Sequence, residues 1–269
     1  MTSASGYEGF GGAIPALSLI ASLAGCKVVD APADLEDLEV YGFVHYGERA
    51  DYLAATAAGI DPLADTYDAQ LREGYRVTDL TTDDLALAGV DATISSSIVG
   101  MAGRVDMTSD LTELADTWTY AHLDEVLSVT LGYEVRAEEG DRDCFVSGDC
   151  ETYAVDGWRQ NDMGLFGTSE QTFRREYRWT TTGDGEPALS FREICTEPSD
   201  ISSGLLAVHQ QYSFSLMFQR DTGTVRVDAF WIDAEAIGIE VPDGLALQMA
   251  VQAMQHTAED VDAYVDANP

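Results

Sequence analysis

Residues 209–233 read HQQYSFSLMFQRDTGTVRVDAFWID, and residues 241–265 read VPDGLALQMAVQAMQHTAEDVDAYV. In the first stretch Tyr212, Phe214, Leu216 and Phe218 alternate with Ser213, Ser215 and Met217, the two-residue period of a strand with unlike faces. Asp221-Thr222-Gly223 is a turn sequence, and Thr224 to Asp233 forms a second extended segment, so the pair predicts an antiparallel hairpin. In the second stretch the period changes. Leu247, Val251, Met254, Ala258, Val261 and Val265 recur at spacings of three and four. That is one apolar stripe on a helix of roughly five turns at 3.6 residues per turn. The stripe needs an apolar surface to lie on, and the strands before it supply one.

Working toward the amino terminus, more strands are predicted at Ala188–Cys195, Gln171–Thr180, Glu151–Gly157 and Val129–Arg136. In FRREYRW, Phe173, Arg175, Tyr177 and Trp179 alternate with Arg174, Glu176 and Arg178, and Thr182-Gly183-Asp184-Gly185 supplies a hairpin turn. Ser109-Asp110 opens a helix in which Leu111, Leu114 and Trp118 share a face, and Ile98–Met107 before it reads as extended. Residues 40–92 have helical composition and are expected to form a helical extension or cap. Tyr52–Ala58 is one helix in this reading, and Asp61-Pro62 starts another that runs to Glu73. Thr81 or Thr82 caps a third.

From residue 97 the order is therefore strand, helix, a run of antiparallel strands, then a long amphipathic helix. PALSFREICTEP (187–198) and the two stretches quoted above resemble the last strands and helix of START-like (SRPBCC) lipid-transfer and polyketide-cyclase domains. The resemblance covers about two-thirds of the chain, residues 93–269, and has no diagnostic motif. It implies an α+β fold in which a curved antiparallel sheet grips the carboxy-terminal helix. A cavity between the two would hold an apolar small molecule or a lipid. Tyr177, Trp179, Phe191, Phe214, Trp231 and Met254 are the candidate lining of that cavity; the alternative is that they fill the space as an ordinary core. Arg174, Arg178 and Arg192 stand as cationic anchors for a carboxylate or phosphate headgroup, or as cross-strand partners of Glu176 and Glu193.

The amino terminus reads as an address. Ala13 to Gly25 is an apolar run of the length of a signal-peptide core, and it ends in Leu23-Ala24-Gly25-Cys26. These four residues resemble the bacterial lipobox, which implies a signal peptide of residues 1–25 and a lipid on Cys26. The preceding residues contain Glu8 and no Lys or Arg, a departure from the usual positive start. Lys27 rather than Asp follows the cysteine, which implies the outer membrane in a Gram-negative host, and a cell-envelope location in general. Residues 26–39 read as an acidic tether. The whole chain resembles exported lipoproteins of myxobacterial type.

Charge narrows the partners. The chain of 269 residues carries 48 Asp and Glu against 14 Lys and Arg, a formal net charge of −34, so binding to a phosphate backbone is disfavoured. Cys144 and Cys150 bracket a Ser-Gly-Asp turn and suit a local disulfide. A Cys150–Cys195 bond and a zinc site are the alternatives, although no histidine lies near for zinc. His45, His122, His209 and His256 are scattered, and no nucleophile elbow, metalloprotease helix or phosphate loop is present. Residues 138–143 form an acidic loop that reads as a solvated hairpin or a calcium loop. No catalytic residue, metal or cofactor is assigned. Three functions remain in view: an envelope lipoprotein that carries an apolar molecule or lipid, a cell-surface interaction protein with a filled core, and a cyclase- or hydrolase-like enzyme.

Overall fold

The computed structural model describes residues 30–94, 97–164, 167–204, 206–236 and 243–268, so the expected signal peptide 1–25 and the expected lipid-attachment residue Cys26 lie outside the described residues. The chain begins with α1 (Leu35–Val44), α2 (Ala50–Thr66), α3 (Asp68–Glu73), β1 (Tyr75–Leu80) and α4 (Thr82–Leu87). Next come β2 (Ile98–Met107), α5 (Leu111–Trp118), a 3-10 turn (Leu123–Glu125), β3 (Thr130–Glu139) and α6 (Arg142–Val146). The remaining strands are β4 (Thr152–Asp162), β5 (Thr168–Thr181), β6 (Pro187–Cys195), the two-residue β7 (Asp200–Ile201), β8 (Leu206–Arg220) and β9 (Gly223–Ala236). The long helix α7 (Asp243–Ala267) ends the fold.

The strands form one antiparallel sheet in the order β1-β2-β9-β8-β6-β5-β4-β3, with β7 paired to β5. The quoted hairpin is its centre. Arg220 pairs with Gly223 around Asp221-Thr222, and β9 then pairs with β2, from Gly100 opposite Trp231 to Met107 opposite Thr224. The expected α+β class, with a large antiparallel sheet and a carboxy-terminal helix, is the one observed.

Helices cover both faces of this sheet. Alternation sends Tyr212, Phe214, Leu216 and Phe218 of β8, with Val225, Val227, Ala229 and Trp231 of β9, to one face. There they pack against Leu35, Leu38 and Phe43 of α1 and Leu53, Ala57 and Ile60 of α2. The other face, with Tyr177, Phe191 and Met217, packs against Leu111, Leu114 and Trp118 of α5 and Met254, Ala258 and Val261 of α7. Gly42 shows how closely the first layer sits. A Cβ there would come within 2.5 Å of the Phe214 ring, so only glycine admits α1 this near to β8.

Three expectations for the amino-terminal region need correction. The acidic tether does not extend to residue 39. Asp34 accepts a hydrogen bond from the Asp37 amide and starts α1, and Leu35 and Leu38 are buried. The acidic composition of this stretch hid two leucines at helical spacing. Pro62 does not start a helix but lies inside α2. It sits on the exposed side, while Ala57, Ile60 and Ala64 continue the buried stripe. Residues 40–92 are also more than a helical cap, because they contribute β1 to the sheet, paired with β2. The Thr81 cap is present as a capping box with Asp84, and Asp110 with Glu113 forms another at α5.

A charged cavity under the carboxy-terminal helix

The register places one row of side chains across four strands on the α7 face. Arg175 of β5 is opposite Glu193 of β6, Glu193 is opposite Ser213 of β8, and Ser213 is opposite Phe230 of β9. Arg159 of β4 and Arg226 of β9 flank this row. Trp118 at the end of α5, Leu123 and Leu127 beyond it, Tyr133 of β3, and Ala253 and Thr257 of α7 form the opposite walls. The space between them is about 230 Å³. It lies between the sheet and α7 and opens partly to solvent.

Two carboxylates hold the cations. Glu193 receives Arg159 Nη1 at 2.9 Å and Nη2 at 2.7 Å, and Arg175 Nε at 2.9 Å, with Arg175 Nη2 also bonded. Burial alone would raise the pKa of Glu193, but the two guanidiniums overwhelm that effect and hold it at about 2. Arg226 grips Asp228 with Nε at 2.8 Å and Nη2 at 2.6 Å, and Ser215 donates to the same carboxylate. The Arg226 guanidinium carbon also lies 4.6 Å from the Trp118 ring centroid, a cation–π contact. Three buried donors on these walls have no acceptor among the described residues: Arg226 Nη1, Arg159 Nε and Trp118 Nε1.

The carboxy-terminal helix is latched over this space by its own carboxylates. Asp262 accepts from the Thr108 and Ser109 amides at 2.8 and 3.1 Å, and from the Ser109 hydroxyl at 2.6 Å. Asp260 accepts from the Ser128 amide and hydroxyl, both at 2.8 Å, and His256 Nε2 is 2.9 Å from Ser128 Oγ.

The structure separates the six aromatic and methionine candidates that sequence placed in one cavity. Phe191 lines it. Tyr177 belongs to the same core but is packed away from the space, its hydroxyl donating to the Trp118 carbonyl. Met254 is buried on Gly103, and Trp179 lies half-buried near α6 with Nε1 on the Phe145 carbonyl at 2.7 Å. Phe214 and Trp231 are on the wrong face altogether: both belong to the layer beneath α1, where Trp231 Nε1 donates to the Thr78 carbonyl at 3.0 Å. The reason is parity. On antiparallel neighbours, directly opposed residues share a face, and Phe214 is opposite Arg192 rather than Phe191.

The same parity moves the arginines. Arg178 donates to the Tyr46 and Glu48 carbonyls and pairs with Glu151. Arg192 donates to the Phe43 and Ala88 carbonyls and pairs with Glu176, and Arg174 joins Glu139, Asp156 and Glu176. The pairing with Glu176 is present for Arg174 and Arg192, but Arg178 pairs with Glu151 and Glu193 partners none of the three. The anchor reading fails because their donors are used on the α1 side of the sheet or at its surface. A wider cleft of about 480 Å³ runs past Arg136, Arg174 and Arg192, but Arg136 is itself paired to Glu134. The cavity's cations are instead Arg159, Arg175 and Arg226. Arg175 was recognisable as a member of the Phe173–Trp179 alternating set, and that alternation was the one signal that could have found it.

Cys144 and Cys150 form a disulfide, and Cys195 is free and buried. Burial pushes the Cys195 thiol up to about 12, so it stays protonated. The acidic loop is accounted for by structure: Asp141 caps α6, and Arg142 ties it to Asp116 and the Thr119 carbonyl. Among the described residues no helix is long and apolar enough to cross a membrane, and no group of three or more His, Cys, Asp and Glu could hold a metal ion.

The site and fold therefore define a class first: an antiparallel sheet with a partly open, charged cleft between it and a terminal helix. No protein-family description matches the chain, and no curated protein sequence does. Among solved structures it is similar to a STAR-related lipid transfer protein fragment from Xanthomonas axonopodis. The identity is 13%, the TM-score 0.41, and the match covers 63% of this chain and 86% of that one. It is also similar to a START superfamily protein from Mycobacterium smegmatis (9%, TM-score 0.40, 63% and 99% covered). Human StAR-related lipid transfer protein 5 is a third (11%, TM-score 0.39, 79% and 98% covered). At that level of similarity the neighbours' names say nothing about what this cavity holds.

Proposed function

We propose that this chain is a cell-envelope lipoprotein, anchored through Cys26, whose interior cavity binds a small, largely apolar molecule. The observation that carries the binding reading is the space of about 230 Å³ between sheet and α7, walled by Trp118, Leu123, Leu127, Phe191 and Phe230. Moving an apolar body from water into such a space contributes about 25 cal/mol per Å² of apolar area covered. The volume is below the roughly 300–1,000 Å³ of drug-sized pockets, so the occupant is a small molecule rather than a whole two-chain lipid. The interaction-protein reading is weaker: the large apolar side chains exposed among the described residues, Leu87, Val99 and Leu131, are scattered singly. An enzyme reading is weaker too, since Glu193 is an ionised counter-ion with its oxygens engaged by two arginines and has no proton to give near neutral pH.

The test uses the full chain made in a bacterial host and extracted in detergent. Solvent extraction and mass spectrometry should recover a small apolar compound in near-equal amount to protein. Repeated absence of any compound, together with no rise in Tm on adding short-chain alcohols, would remove the binding role. Labelled palmitate should enter the chain and be lost in Cys26→Ser. Label retained by that variant, or absent from the parent, would remove the anchor.

A further inference from the structure

Resting on the proposed anchor at Cys26, we infer that the corner where α1 meets α2 docks on the bilayer holding that anchor and takes headgroups that carry an ammonium. Two observations point there. The first is reach. The described chain begins at Asp30, four residues beyond Cys26. An extended chain spans at most about 3.6 Å per residue, so Cys26 lies within roughly 14 Å of Asp30 whatever path the link takes. A fold of this length has a radius of gyration of about 18 Å, so a link that short holds one side of it at the membrane surface. Which side is set by where the link enters. Ala31 packs on the core beneath α1 and α2, across the sheet from α7. Asp30 in turn lies near Tyr41: burial first, then Tyr52, Glu48, Asp30 and Asp51, raise that phenol above its ordinary pKa.

The second observation is what stands at that corner. Tyr41, His45 and Tyr52 form a half-exposed aromatic cluster, with His45 between the two tyrosines. Its ring centroid is 4.4 Å from that of Tyr41 and 4.8 Å from that of Tyr52, and the tyrosines are 6.0 Å apart. Tyrosine, apolar in body and polar at its tip, favours the headgroup level of a bilayer. Asp30, Glu48 and Asp51 rim the cluster, and Arg49 stands exposed beside Asp51. Carboxylates beside tyrosine faces attract an ammonium. The whole chain selects in the same direction: its net charge of −34 is repelled by anionic headgroups and not by zwitterionic ones. A weak contact is enough, because the tether makes docking intramolecular, at an effective concentration on the order of millimolar.

The experiment is hydroxyl-radical footprinting, read by mass spectrometry, of the full lipidated chain on nanodiscs, with the Cys26→Ser chain free in buffer as reference. On discs of phosphatidylethanolamine and phosphatidylcholine, Tyr41, His45 and Tyr52 should be labelled about threefold or more slowly than in the reference, as a mostly populated intramolecular contact implies. His256 and Tyr264 of α7 should be labelled at the reference rate. Discs of phosphatidylglycerol should protect the corner clearly less. Tyr41→Ser with Tyr52→Ser leaves the anchor in place and should bring His45 back to the rate of the same double change in the Cys26→Ser chain. The parent comparison needs no such variant, so a folding failure does not shield the idea. Equal labelling on and off the disc, or protection at His256 and Tyr264 instead, would overturn the docking and leave the anchor standing. Equal protection on phosphatidylglycerol would overturn the ammonium. Protection of the corner that grows with the concentration of the lipid-free Cys26→Ser chain would give it to a second copy and overturn the bilayer. If palmitate labelling finds no lipid on Cys26, the anchor itself falls and the docking with it.

Discussion

The two faces of one sheet in this protein are packed on opposite principles, although they are built from alternate residues of the same strands. Under α1 and α2, Tyr212, Phe214, Leu216, Phe218 and Trp231 form a largely aromatic layer, with Phe43 edge-on to Tyr212 at 5.8 Å between ring centroids. Under α7, the same β8 strand presents Ser213 and Ser215, its neighbours present Arg175, Glu193, Arg226 and Asp228, and a cavity remains. The first face is a scaffold and the second a site. The lesson is that the amino-terminal helices are structural partners of the sheet: they cover its more aromatic face, where Arg192 and Glu39 are the buried charges, and leave the α7 face the denser set of ion pairs.

The largest expected effect tests the scaffold. Phe214→Ala should lose about 3–5 kcal/mol in urea unfolding, the range for a buried aromatic in a filled core. Phe191→Ala, which only widens an existing space, should lose clearly less, since part of its ring already faces the cavity. Equal losses would erase the contrast between the faces.

On the charged face, Glu193→Gln leaves two arginines without their shared partner and should cost about 3–5 kcal/mol near neutral pH, toward the lower end because Arg159 is partly accessible. The folded-state pKa of Glu193 is depressed, so its contribution is complete above the unfolded value of roughly 4.3 and is lost as pH falls toward about 2. Unfolding midpoints of parent and variant should therefore converge across that window. Persistence of the gap down to its lower end would mean that the ion pair is not what Glu193 supplies.

Reduction of Cys144–Cys150 closes the order of destabilising changes at about 2 kcal/mol, because the loop it closes is short. A change on the scaffold face should be smaller and of opposite sign. Glu39 of α1 is fully buried with both carboxylate oxygens unpartnered among the described residues. Burial, then nearby Asp228, raises its pKa well above the ordinary value. A raised folded-state pKa means stability is lost as pH rises past the unfolded value of roughly 4.3. Glu39→Leu should thus stabilise by about 1–2 kcal/mol, with the gain greater at pH 8 than at pH 5 in thermal unfolding. No gain at either pH would show that Glu39 has a partner that its surroundings do not reveal.

Much of the strand content was readable because alternation is local. The segments at 171–180, 188–195 and 210–233 all became strands, longer at their ends than read. The terminal stripe became α7, burying Val251, Met254, Ala258 and Val261. β1 was missed because YRVTDL is short and sits among helices, where only pairing with β2 makes it a strand. The cavity residues were missed for a different reason. Local pattern singled out neither Arg159 nor Arg226 and showed Arg175 only as a member of the Phe173–Trp179 set; their burial follows from which face of each strand turns inward, a matter of register across strands far apart in the chain.

Period and composition along the chain by themselves determined that this protein is an α+β fold with a hairpin-rich antiparallel sheet and a long amphipathic terminal helix. They also determined that it carries a strong negative charge. These are properties of neighbours within a few residues, where the geometry of helix and strand is set. Only the tertiary structure decided which face each helix covers, that Phe214 and Trp231 belong to the scaffold, and that Arg175 and Arg226 meet at Trp118. The physical reason is that a two-residue period defines two faces without saying which is which. That choice is made when α1 seats its leucines on the aromatic face and leaves α7 the charged one.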